Sequence, residues 1–117
     1  MNFLFLINDG PYGTEKAYNA MRWANQMLKD YPDATVRIFL MADAAQCAIK
    51  GQETPQGFYN IERMLKIANN KGAEIGVCGG CADARGIQNA EWVHGARKSS
   101  MEELAQWTVE ADKVITF

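Results

Sequence analysis

Apolar residues along this chain fall alternately into short continuous runs and into stripes of helical period. Phe3 to Ile7 is unbroken and stops at Asn8-Asp9-Gly10-Pro11, a strong turn signal. A run without polar alternation predicts a strand covered on both faces, as in a parallel sheet. After the loop Asp9–Gly13, Thr14 can cap a helix whose Ala17, Ala20, Met21, Ala24, Met27 and Leu28 recur at i, i+3, i+4, i+7 spacing. Tyr31-Pro32-Asp33 ends it, and Thr35 to Met41 is a second apolar strand.

Ala42 to Lys50 reads as a short helix or turn, and Gly51 to Gly57 as a polar loop. The next helix runs from about Gly57 to Asn70, with Ile61, Met64, Leu65 and Ala68 on one stripe and Lys71-Gly72 as its stop. Glu74 to Cys78 is a third strand, broken by Gly79-Gly80, with a brief helix over Cys81–Arg85 ended by Gly86. Trp92-Val93 reads as a fourth strand. Ser99 and Ser100 each stand three residues ahead of a Glu (Glu102, Glu103), so a capping box opens a last helix, Met101 to Ala111. Lys113 to Phe117 is a terminal strand. This alternation predicts a doubly wound α/β fold with a largely parallel sheet, in one domain spanning residues 1–117.

Composition narrows the partners more than the fold. The chain has 117 residues, 48% apolar, with twelve Lys+Arg against fourteen Asp+Glu for a net charge of −2. That suits an ordinary globule, and the absence of a basic cluster argues against nucleic acid as the main partner. A core this small favours burying further surface by self-association. The apolar N-terminal run lacks a positive flank and is too short for a signal peptide, and no stretch approaches the length of a membrane span. With an odd cysteine count, these features place the chain in a reducing cytoplasm, away from membranes.

Only three cysteines and one histidine are present, which excludes a disulfide-stapled scaffold and leaves few routes to a metal site. In a parallel sheet, ligands gather beyond the carboxyl ends of the strands. Asn8–Glu15, Ala42–Cys47 and Cys78–Arg85 all land there. Cys78-Gly79-Gly80-Cys81 is the most pointed of these. Backbone N–H groups of a helix start can face the Cys78 sulfur and favour its thiolate. Gly79 and Gly80 keep side chains out of the way, and Arg85 can hold an anion or an acidic partner. The same segment also fits a glycine turn with two incidental cysteines.

Three chemistries compete for that motif. A thioredoxin-like pair wants a proline downstream, but the last proline, Pro55, lies upstream of both cysteines. Zinc needs four ligands, and Cys47, Cys78, Cys81 and His94 are the only soft candidates, so no metal site and no cofactor is expected. A persulfide carrier needs one activated thiolate and an optional second thiol, which fits the inventory best. In the loop Asp9–Glu15, two glycines flank Tyr12 ahead of a helix, which fits an anion pocket or a plain strand-to-helix turn equally. Cys47 reads as buried filler, His94 as a packing or interface residue, and Trp23, Trp92 and Trp107 as core or subunit-contact residues. Glu102 and Glu103 read as capping residues.

The segments Asn8-Asp9-Gly10-Pro11-Tyr12-Gly13-Thr14-Glu15, Met41-Ala42-Asp43-Ala44, Gly51-Gln52-Glu53-Thr54-Pro55, Val77 to Ile87 and Ser100-Met101-Glu102-Glu103-Leu104 together resemble the DsrE/DsrF-like sulfur-relay family, closest to its small YchN-like branch. The resemblance implies a three-layer α/β/α sandwich with a mainly parallel sheet of about five strands, assembled as homotrimers or homohexamers. It also implies that a cysteine ending the third strand accepts sulfane sulfur from a donor protein as a persulfide and hands it to an acceptor protein. Counted from Arg85-Gly86, that cysteine matches Cys78. Cys81 departs from the relay proteins but occurs in the YchN-like branch, where it implies a resolving thiol or an internal disulfide. The leading expectation is therefore a sulfur carrier with Cys78 as nucleophile, Cys81 resolving, Gly79 and Gly80 opening the approach, and Arg85 biasing the thiolate or docking the partner. Two alternatives stand beside it: an oligomeric binding or adaptor module using Asn8, Asp9, Tyr12, Gly13 and Thr14, and a CxxC thiol-disulfide oxidoreductase.

Overall fold

The computed structural model describes residues 1–55 and 58–117. Five strands, β1 (Asn2–Ile7), β2 (Thr35–Leu40), β3 (Glu74–Cys78), β4 (Ala96–Ser99) and β5 (Lys113–Thr116), form one sheet in the order β4-β3-β2-β1-β5. Every pairing is parallel. The helices are α1 (Lys16–Asp30), α2 (Ile61–Asn70), α3 (Gly79–Ala84) and α4 (Met101–Glu110), with a 3-10 helix over Ala42–Ala48.

The order explains the layers. Chain progress from β1 through β4 runs one way across the sheet, and β5 returns to the far edge beside β1. Crossovers between parallel strands are right-handed, so reversing the direction of travel moves the connecting helix to the opposite face. Accordingly α1 and α2 cover one face, where Phe5, Ile7, Val36, Ile38, Leu40, Ile75 and Val77 meet Ala20, Met21, Leu28, Ile61 and Leu65. On the other face α4 lays Trp107 and Leu104 against Leu4, Phe39 and Cys78. The result is a three-layer α/β/α sandwich. No helix of the described residues is long and apolar enough to cross a membrane.

Most boundaries agree with the sequence pattern, and the exceptions have physical reasons. The fourth strand is not Trp92-Val93, which makes only an isolated antiparallel bridge from Trp92 to Ile49. The strand is Ala96–Ser99, a polar edge strand whose Arg97 and Lys98 are exposed. An edge position needs no apolar run, and charged residues there discourage further pairing. The brief helix opens at Gly79, two residues early, with both glycines inside it. Thr14 stands one residue ahead of the α1 N-cap, Glu15. Its hydroxyl accepts from the Lys16 N–H at 3.4 Å and donates to Asp9 Oδ2 at 2.9 Å, closing the loop rather than the helix. α2 starts at Ile61 behind Asn60, whose Oδ1 accepts from the Arg63 N–H, whereas the predicted start at Gly57 lies outside the described residues. Of the two candidate serines it is Ser100 that caps α4, accepting from the Glu103 N–H at 3.3 Å.

Candidate functional site

Because all strands are parallel, the loops after β1, β2 and β3 open on one rim, and hydrogen bonds tie them together. The Ala44 N–H donates to Asn8 O at 3.2 Å, and Asp43 bridges to Arg85. On this rim the chain passes from β3 into α3 at Cys78. Side chains alternate along a strand, so Val77 enters the α1/α2 core while Cys78 enters the α4 core beside Phe39 and Trp107. Its residue is 8% exposed.

Cys78 is also the N-cap of α3, and its Sγ accepts from the Cys81 N–H at 3.4 Å. Burial pushes the Cys78 thiol pKa up, and a side-chain hydrogen bond with Cys81 adds to this. The N–H groups of Cys81 and Gly80 pull the other way, but burial prevails. Burial at Cys78 thus works against the thiolate that the Cys81 and Gly80 N–H groups favour.

Cys81 lies in a different setting. It is more open than Cys78, packs against both cores, and its Sγ accepts from the Ala42 N–H at 3.1 Å. Ala42 has φ of +53°, the left-handed region that non-glycine residues rarely occupy. Asp43 and Arg85 secure that loop. Arg85 donates through Nε and Nη2 to Asp43 Oδ1 at 2.9 and 2.8 Å, and through Nη1 to Cys81 O at 3.1 Å. Arg85 therefore joins the β2 loop to α3, and its donors are directed at Asp43 and the Cys81 carbonyl instead of at a sulfur. The adjacent glycines differ in kind. A Cβ on Gly79 would lie 2.7 Å from Lys98 Cε and 3.1 Å from Ser99 O, whereas around Gly80 the described residues leave open space.

The third cysteine, Cys47, is fully buried, and burial pushes its thiol up to about 12. Cys47, Cys78 and Cys81 are all free thiols. His94 is exposed, beside Lys50, Glu62, Lys66 and Trp92. Trp107 is in the core, whereas Trp23 is half exposed and set edge-on to Phe5 and Phe117.

The residues proposed for ligand binding divide between two places. Tyr12, Gly13 and Thr14 line a shallow cleft of about 330 Å³ with Pro11, Glu15 and Tyr59, apart from the cysteine pair. Gly13, at φ +104°, supplies backbone that a side chain would strain. The Tyr12 hydroxyl donates to Gln52 Oε1 at 2.6 Å and accepts from the Ile61 N–H at 3.4 Å, anchoring this loop to the start of α2. Asn8 joins the ends of β1 and β5, its N–H and Nδ2 both donating to Phe117 O. The Asp9 carbonyl lies 3.9 Å from Cys47 Sγ. Ala42, Asp43 and Trp107 bear on the cysteines, a role the sequence pattern assigned to none of them, although the 42–47 segment falls on the expected rim and Trp107 among the expected core or subunit-contact residues. Only the register of β2 against β3, with Leu40 beside Val77, brings residues 41–43 over α3.

Comparison with known proteins sets this geometry in a lineage. The model of the DsrE/DsrF-like family matches residues 1–117. The chain belongs to the DsrE/DsrF-like family. Among its relatives in this family, protein YchN of Escherichia coli strain K12 is 37% identical over 114 residues, covering 97% of each chain. Protein MJ0989 of Methanocaldococcus jannaschii is 36% identical over 117 residues and the full length of both. The crystal structure of the E. coli ychN protein superposes with a TM-score of 0.95 at 35% identity, covering 99% of this chain and 98% of that one. MTH1491 of Methanobacterium thermoautotrophicum shares the fold, with a TM-score of 0.80 at 10% identity over 99% of this chain and 98% of that one. This DsrE/DsrF-like chain thus keeps the five-stranded parallel sheet and sets Cys78 at the end of its third strand.

Proposed function

We propose that this protein is a small sulfane-sulfur carrier of the reducing cytoplasm, holding a persulfide on Cys78 and exchanging it with donor and acceptor proteins. The observation that carries this reading is the thiol pair at the carboxyl end of β3: Cys78 capping α3 with the Cys81 N–H on its sulfur, and Cys81 one helical turn away at the more open side. A carrier must shield its sulfur from stray thiols yet let a partner reach it, and a buried cysteine beside an accessible one meets both needs. Family membership supports the same chemistry, since sulfur relay is the role the DsrE/DsrF-like resemblance implies.

Assembly belongs to the proposal. Among the described residues a single helix covers the α4 face of the sheet, and Met101 and Val109 of that helix and Val114 of β5 are 56%, 86% and 43% exposed. Covering them with further copies, as a homotrimer or homohexamer, removes apolar surface from water. Light scattering reads that state directly.

The chemistry is tested by incubating the fully reduced protein with a low-molecular-weight persulfide, weighing it intact, then alkylating and mapping the peptides. The expected result is a gain of one sulfur atom, residing at equilibrium on Cys78. A parent that gains none, or a Cys78→Ser/Cys81→Ser double variant that gains as much, refutes the reading.

A further inference from the structure

We infer that sulfur enters the pair at Cys81 and passes to Cys78 in a second, internal step, an order that rests on the carrier reading above. The geometry of the two sulfurs argues for it. Cys78 is 8% exposed, enclosed by Phe39 and Trp107, whereas Cys81 stands more open at the boundary between the two cores. A bulky donor meets the outer sulfur first. The attacking species is the thiolate, and the Ala42 N–H, 3.1 Å from Cys81 Sγ, is a fixed donor to that charge from a separate element. The loop bearing it is held in an uncommon backbone conformation by the Asp43–Arg85 pair, and Arg85 also grips the Cys81 carbonyl. Asp43 and Arg85 are positioning residues in this scheme, acting through Ala42. The raised Cys78 pKa agrees with a thiol that does not attack from solvent.

The steps balance. The Cys81 thiolate attacks the outer sulfur of a persulfide R–S–SH, the old S–S bond breaks, R–S⁻ leaves and Cys81–S–SH remains. The Cys78 sulfur then attacks the terminal sulfur of Cys81–S–SH, forming Cys78–S–SH. The departing Cys81 thiolate, received by the Ala42 N–H, takes up the proton that Cys78 loses. Each step makes one S–S bond and breaks one, so no oxidant or reductant is consumed.

The test follows the label in time. The reduced parent is mixed with cysteine persulfide, quenched by alkylation at successive times, digested and mapped. The extra sulfur is expected first on Cys81 and later on Cys78. Cys81→Ser should slow loading of Cys78 at least severalfold, because the donor must then reach the enclosed sulfur directly. Cys78→Ser should take up its extra sulfur on Cys81 and keep it there, with no second-stage transfer. Iodoacetamide on the folded parent, which needs no variant, should modify Cys81 before Cys78. Asp43→Asn, which frees the loop carrying the Ala42 N–H, should slow the first appearance of sulfur on Cys81 severalfold, Asp43→Glu should restore it, and alkylation of Cys78 should be unchanged in both. Cys78 labelled first, or Cys81→Ser loading Cys78 at the parent's rate, overturns the order while leaving the carrier reading intact. A parent that takes up no sulfur overturns both.

Discussion

The two glycines between the cysteines offer a prediction in which one chemical change has opposite effects at adjacent positions. Gly79 and Gly80 both lie in α3, and neither has left-handed backbone. Replacing either by alanine removes unfolded-chain freedom and is worth roughly 0.5–1 kcal/mol to a helix. At Gly80 no heavy atom of the described residues lies within 4 Å of the new Cβ, so the gain is kept. At Gly79 the Cβ would lie 2.7 and 3.2 Å from Lys98 Cε and Cγ and 3.1 Å from Ser99 O.

The Lys98 stem can swing aside. Its head is 58% exposed and its ion pair with Asp83 spans 3.3 Å, so losing that pair costs at most about 1 kcal/mol. The Ser99 carbonyl belongs to β4, paired beside Cys78 of β3, and cannot move without the strand. Overpacking against such a group costs about 1–3 kcal/mol. Gly80→Ala should therefore be more stable than the parent by roughly 0.5–1 kcal/mol, and Gly79→Ala less stable by up to about 2 kcal/mol. Urea unfolding of the reduced proteins, followed by tryptophan fluorescence, measures both. A Gly79→Ala/Lys98→Ala double variant isolates the share due to the Ser99 carbonyl. Equal stability of the two single variants, or a Gly80→Ala less stable than the parent, would refute this account of the cysteine turn.

Three further outcomes follow from the packing. The Cys47 thiol is raised from 9.0 to about 12 by burial, so the folded state keeps a proton that the unfolded state releases. Stability should be level below the unfolded value and fall above it by about 1.4 kcal/mol per pH unit until the folded value is reached; urea midpoints taken from neutral to alkaline pH should show this component vanish in Cys47→Ala. Trp107 is 3% exposed, edge-on to Phe39 and flanked by the guanidinium groups of Arg37 and Arg97 at 5.2 and 5.6 Å from its ring. Trp107→Ala should cost about 3–5 kcal/mol and open Cys78 to solvent, read as lowered urea resistance together with faster Cys78 alkylation. Ser100→Ala should cost about 1 kcal/mol through the lost α4 cap, and Thr14→Ala well under that, because Thr14 stands outside α1; calorimetry of the two variants separates them.

What the chain discloses before folding, and what it withholds, follows from where the information resides. β3 is legible to the residue, Glu74–Cys78, because a fully covered strand must be apolar and Gly79-Gly80 marks its end. β1 and β2, flanked on both sides in the sheet, deviate by a residue or so for the same reason, whereas the edge strand β5 is legible from Val114-Ile115 although it is largely exposed. β4 is not legible. An edge strand of Ala-Arg-Lys-Ser is held by backbone bonds to β3 and by Arg97 against Glu103 and Trp107, none of which imposes a period on the sequence. The Asp43–Arg85 pair is 42 residues apart in the chain and exists only through the pairing of β2 with β3.

The cysteine pair shows the same division more sharply. Its spacing marks it as chemistry, but spacing alone gives both thiols equal standing. The sheet separates them. Strand alternation drives Cys78 beneath Trp107 on the α4 face, and the turn of α3 brings Cys81 to the boundary of both cores under the Ala42 N–H. Two intervening residues are one helical turn, enough to set the Cys81 N–H on the Cys78 sulfur while leaving the Cys81 side chain more open than its partner. A glycine at each intervening position serves a different end: Gly79 lets β4 and Lys98 close over the turn, and Gly80 keeps the outer side clear. The motif is thus a graded path from solvent to core, and in the relay proposed above it is this gradient, more than the count of thiols, that sets the direction of transfer.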